Sequence, residues 1–122
     1  MRINDNNKVI LQKARDIYGT KNQILVSIEE LNELAAVCAK YPRYNDENQA
    51  NSALHSKVLD EVADVYIVLN HIEAILQLSD EEIQNRIAAK IERLERWLNT
   101  SQSFQHTMED RIVKSSESSK EE

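Results

Sequence analysis

Glycine and proline occur once each in this 122-residue chain, at Gly19 and Pro42, and aromatic residues make up only 5% of it. That scarcity removes the turn and strand residues on which a β-rich fold depends, so an all-α fold is expected. Cysteine is equally scarce. Cys38 alone excludes an internal disulfide and suits a reducing, cytoplasmic setting; within an apolar helical pattern it reads as a small buried hydrophobe. No apolar run approaches the roughly 20 residues that span a bilayer, and no signal-peptide pattern is present, so no membrane partner is expected. Positive charge is in deficit. A formal net charge of −6 opposes stable binding to nucleic acid, whose phosphates would be repelled. It leaves room for a small nucleotide, because a bound cation and a few local bases reverse the field inside a cleft.

The length allows one domain with a modest core. Val9, Ile10, Ala14 and Ile17 recur at helical spacing and predict a first helix over 5–18. Gly19 stands where a left-handed C-terminal cap needs glycine. A second helix is expected from about Lys21 to Ala39, broken by the Tyr41-Pro42-Arg43-Tyr44-Asn45-Asp46 segment. A third is expected from Asn51 or Ser52 to Gln77. Ser79-Asp80-Glu81-Glu82 reads as a capping box opening a fourth, which ends near Leu98. Residues 1–98 form the helical domain on this reading, and 99–122 a C-terminal extension. Ser115 to Glu122 contains only Ser, Glu and Lys, a composition that cannot bury apolar surface and predicts disorder at the end. Ile24, Ile28, Leu31, Ala35 and Cys38 predict one packing seam, and Leu54, Val58, Val62, Val65, Leu69 and Ile72 another. Two such broadly apolar helices in a small chain predict a subunit interface.

What the chain does have is acid in an unusual place. Glu29, Glu30 and Glu33 lie within an arc of roughly 100° on the second helix, and Glu61 and Asp64 are about 60° apart on the third. Both clusters sit among apolar residues, where unpaired carboxylates are costly to bury. Side by side, the two helices would concentrate five negative charges, raising their pKa values unless a cation neutralises them. All-oxygen donors favour Mg²⁺, or Mn²⁺, over zinc. The plainer reading is that glutamate is a good helix former and such pairs decorate many solvated faces. Their joint occurrence inside two apolar segments favours the metal.

The pattern E-E-x-x-E at 29–33 followed by E-x-x-D at 61–64 resembles the signature of the MazG-like all-α nucleoside triphosphate pyrophosphohydrolases. Gln23, the run from Asp60 to Leu69, and the basic motif Lys90-x-x-Arg93-Leu94-x-Arg96 extend the likeness over residues 8–98. Where His71 stands, members of this kind often carry glutamine. The resemblance implies a four-helix bundle assembling as a homodimer or as a dimer of dimers. It also implies cleavage of an NTP or dNTP between the α- and β-phosphates, releasing the monophosphate and pyrophosphate. Glu30, Glu33, Glu61 and Asp64 match the metal-binding acids. Glu29 is then a ligand through water or the base that activates the attacking water.

Lys90 and Arg93 are the expected phosphate contacts, although Glu92 and Glu95 on the same helix make ordinary surface pairing an equal reading. Gln23 shares a face with the acids and is expected at the pocket edge; His71, seven residues beyond Asp64, is the further substrate-side candidate. Two other classes compete. A helical module that senses nucleotides or binds a protein without turnover would keep the bundle but has no need of intact acid clusters. A carboxylate-bridged di-iron bundle needs E-x-x-H pairs that the chain lacks.

Overall fold

The computed structural model describes the backbone of residues 3–41 and 49–120 and the side chains of residues 3–41 and 52–102. Among the described residues every regular element is a helix: α1 (Asp5–Tyr18), α2 (Thr20–Cys38), α3 (Gln49–Ile75) and α4 (Asp80–Lys120). The chain forms two compact units, Met1–Ser79 and Asp80–Glu122. No single described helix is long and apolar enough to cross a membrane.

In the first unit α2 and α3 form the principal packing pair, and α1 lies against both. Asn4 starts α1, its side-chain oxygen accepting from the Asn7 N–H at 2.8 Å. Gly19 then joins α1 to α2 by itself: its N–H donates to the Arg15 carbonyl and its own carbonyl accepts from Gln23. Its φ of 87° is positive, as expected of a glycine cap, but ψ is 153°, an extended value rather than a left-handed helical one. That combination is nearly closed to residues with a Cβ. A Cβ there would meet nothing within 4 Å, so the demand for glycine comes from the backbone alone.

α2 ends at Cys38, and Cys38 is exposed rather than buried. The expected break at Pro42 lies outside the described residues. α3 closes with a Schellman turn in which the Leu78 N–H reaches the Glu73 carbonyl at 2.9 Å. The left-handed position of that turn is held by Gln77 at φ 57°, without a glycine. Ser79 directly precedes α4, whose first turn carries Asp80, Glu81 and Glu82. α4 continues through 98 to Lys120, with no glycine or proline to interrupt it.

The packing face of α2 departs from the expected seam. Gln23, Ser27 and Val37 are the buried residues of α2, with Glu30 and Leu34 half-buried between them. Ile28, Leu31, Ala35 and Cys38, expected inside, are exposed. The observed face lies one residue earlier, a rotation of about 100°. On α3 the expected seam largely holds, with Leu54 buried, Val58, Val62, Val65 and Ile72 half-buried and only Leu69 exposed, while Glu61, Asp64, Val68 and His71 also turn inward. Val37, Leu54 and Val68 are the buried hydrophobic residues among those described.

Candidate functional site

The rotation of α2 carries its polar residues into the seam with α3. Ser27 is only 1% exposed, and its hydroxyl donates to the Gln23 carbonyl at 2.7 Å. A serine can enter a helix–helix contact this way because the preceding turn satisfies its donor. One turn further on, Glu30 meets the acids of α3. Single carboxylate oxygens of Glu30, Glu33 and Glu61 all lie within 4.8 Å of one another. Glu30, Glu61 and Asp64 are half-buried, while Glu29 and Glu33 are exposed at the rim.

Two oxygens stand out: Oε2 of Glu30 and Oε2 of Glu61 are sealed from solvent and meet no hydrogen-bond partner. The hydrogen bonds open to these groups are to other carboxyls, Glu30 with Asp64 and Glu61 with Glu33, and each requires a shared proton. Both pKa values are accordingly raised from 4.5. For Glu30 desolvation is the largest cause, followed by the charges of Glu33, Asp64 and Glu61. For Glu61 desolvation again leads, followed by Glu33 and Asp64. Such a cluster has two ways to settle, by taking up protons or by taking up a cation. The structure therefore brings together four of the five predicted acids, with Glu29 beside them at the rim. Glu30, Glu33 and Glu61 could hold a metal ion between them.

Gln23 and Glu29 also line a cleft of about 500 Å³ with Tyr18, Asn22, Leu25 and Val26. The cleft thus runs from the end of α1 along α2 to the first of the acids. Its floor is buried through Gln23, and Tyr18 offers an exposed aromatic ring at its edge.

His71 is 3% exposed, and its Nδ1 lies 2.9 Å from Arg15 Nη1. A guanidinium only donates, so Nδ1 must accept and the ring is neutral with its proton on Nε2. Desolvation and then the Arg15 charge lower the His71 pKa from 6.5. Arg15 Nη2 in turn donates to Gln12 Oε1, and Gln12 Nε2 to Asp16 Oδ1, both at 2.8 Å. Sequence reasoning missed Arg15. It lies 56 positions from its partner, and neither spacing nor periodicity signals such a contact.

Lys90, Arg93 and Arg96 all lie on α4, in the second unit. There Arg96 Nη1 approaches Glu92 Oε1 at 4.0 Å, the surface pairing that the alternation of bases and acids suggested. No protein-family model matches the chain, and no curated protein or solved structure matches it.

Proposed function

We propose that the protein is a divalent-cation-dependent nucleoside triphosphate pyrophosphohydrolase of the MazG-like kind, with the α2–α3 carboxylates as its metal site. The observation that carries this reading is the sealed, unpartnered pair of oxygens on Glu30 and Glu61, within a group of three carboxylates whose oxygens lie within 4.8 Å. Buried acceptors without donors are unfavourable, and a cation removes the penalty for both at once. The donor set contains only carboxylates, which suits Mg²⁺ or Mn²⁺. Glu30, Glu33, Glu61 and Asp64 would hold it. When bound, such an ion neutralises phosphate charge and lowers the pKa of a coordinated water.

The remaining roles fall to the chain's own groups. Glu29, at the exposed rim, is the base for the attacking water or a ligand to the ion through water. The cleft through Tyr18, Asn22 and Gln23 takes the nucleoside end of the substrate, with Gln23 supplying hydrogen bonds and Tyr18 an aromatic face. Lys90 and Arg93, the bases of the matched motif, are the phosphate-gripping residues. His71, buried against Arg15, fixes the position of α1 against α3. The assembly is a homodimer or a homotetramer.

The test is incubation with a panel of standard and modified NTPs and dNTPs in Mg²⁺, Mn²⁺ or EDTA, with chromatographic separation of products. Metal-dependent formation of monophosphate and pyrophosphate is expected. A folded, metal-supplemented protein that turns over none of the panel would contradict the reading.

A further inference from the structure

α1 is lightly anchored in the first unit. None of its residues is buried, and Leu11 and Ala14 are its only half-buried hydrophobic side chains. A helix held by so little apolar burial opens locally more readily than the core it rests on. Its one contact with a buried side chain of α3 that is a hydrogen bond is polar: Arg15 Nη1 lies 2.9 Å from Nδ1 of His71. At its C-terminal end stands Gly19, the single residue between α1 and α2, with φ 87° and no Cβ contact to restrain it. A one-residue joint of this kind can absorb the backbone rotation of a hinge.

We infer that the Arg15–His71 contact is a proton-operated latch: it holds α1 on the α2–α3 pair and, when His71 takes up a proton, frees α1 to swing about Gly19. The hydrogen bond lasts only while Nδ1 keeps its lone pair. A protonated imidazole has two N–H donors and a guanidinium has only donors, so one proton turns the bond into a contact between two cations. No neighbouring acid offsets that. On α1, Asp16 reaches Arg15 only through Gln12. The carboxyl pairs Glu33–Glu61 and Glu30–Asp64 run antiparallel, and the same register sets His71 level with Gln23 of α2, which is uncharged. The charges of α2 near that level, Lys21 and Glu29, are exposed. On α3, Asp64 lies two turns before His71 and Glu73 two residues after it; the charge that acts on the His71 proton is that of Arg15. Released, His71 returns to its ordinary range near 6.5, whereas burial and then the Arg15 charge hold it lower when docked. Docking is therefore complete above pH 6.5 and weakens by up to about tenfold per pH unit as pH falls toward the lowered value. Tyr18, the last residue of α1, walls the cleft, so the latch also sets whether that cleft is formed. The latch is independent of the metal reading.

Amide hydrogen exchange of the full chain across the pH range from about 5 to 8, corrected for the intrinsic pH dependence of exchange, tests it. Protection of the α1 amides falls by up to about tenfold per pH unit below pH 6.5, while the α2 and α3 amides keep theirs. In His71→Gln the side-chain oxygen still accepts from Arg15 but takes up no proton, so α1 stays protected throughout the range. Arg15→Met removes the donor and leaves α1 loosened already at pH 7.5; it carries the test by itself if His71→Gln does not fold. Equal α1 protection at both ends of the range would overturn the inference. So would a loss shared equally by α2 and α3, a His71→Gln chain with the wild-type pH dependence, or an Arg15→Met chain whose α1 is as protected as in wild type at pH 7.5.

Discussion

The α2–α3 seam and the exposed stripe of α4 invert each other's chemistry. In the seam, Gln23, Ser27, Glu30, Glu61, Asp64 and His71 occupy positions that a simple helix pair fills with leucine and valine. On α4, isoleucine, leucine and tryptophan stand where a solvated helix carries lysine and glutamate. Each inversion is costly by itself, the first through desolvated charge and the second through hydrated apolar surface. The difference teaches what each region needs. Unpartnered buried oxygens call for a proton or a cation, and an exposed apolar stripe calls for cover.

The largest effect should come from the seam. Glu61→Gln keeps the side chain's shape but removes a proposed metal ligand and a charge, so turnover should fall by ~100-fold or more, since even groups that only support a metal ligand cost 10- to 100-fold. The metal-free variant should unfold at a higher temperature than wild type, because the repulsion around Glu33 and Asp64 is relieved. Thermal unfolding with and without Mg²⁺ checks both halves. A variant that is less stable without metal and still active would break the contrast.

The pH dependence of stability sharpens the contrast. Glu30 and Glu61 hold protons more tightly folded than unfolded, so their contribution is complete below pH 4.5 and is lost as pH rises through their raised values. Metal-free protein should lose stability upward through that window, and Mg²⁺ should cancel the loss. His71 has the opposite sign. Its lowered pKa gives a contribution complete above pH 6.5 and lost as pH falls through its folded value. A pH series of melting temperatures on wild type, Glu61→Gln and His71→Gln separates the two slopes.

Two backbone positions test how the seam is held. Gly19→Ala should destabilise the protein by about 1–3 kcal/mol, the cost of a sparsely populated backbone conformation, and should loosen the Arg15–His71 contact that depends on how α1 meets α2. Chemical denaturation and the His71 NMR signals check this. The smallest effect is a gain. Gln77→Gly removes the penalty of a left-handed non-glycine residue and should stabilise by about 1 kcal/mol.

Local chemistry made the helices legible in the sequence. The α1 pattern, the lone Gly19 and the capping sequence at Ser79 mark their boundaries to within a residue or two. The acid cluster was legible because E-E-x-x-E and E-x-x-D place carboxylates on single helix faces. The rotation of α2 was hidden by the polar character of its inner face. An apolar seam through Ile28 and Leu31 is the natural reading, and it fails because Ser27 and Glu30 face α3 instead. The extension of α4 beyond Leu98 was hidden because a polar composition predicts exposure as readily as it predicts the loss of a helix. The Arg15–His71 contact depends on chain topology, which no local spacing encodes.

The most direct test of the central claim is calorimetric titration of Mn²⁺ into metal-free wild type and Glu61→Gln at neutral pH, in two buffers of different ionisation enthalpy. The account predicts saturable binding to wild type with net proton release from the coupled carboxyls, and markedly weaker binding to Glu61→Gln. Absence of binding to wild type, or equal affinity in the variant, would contradict it.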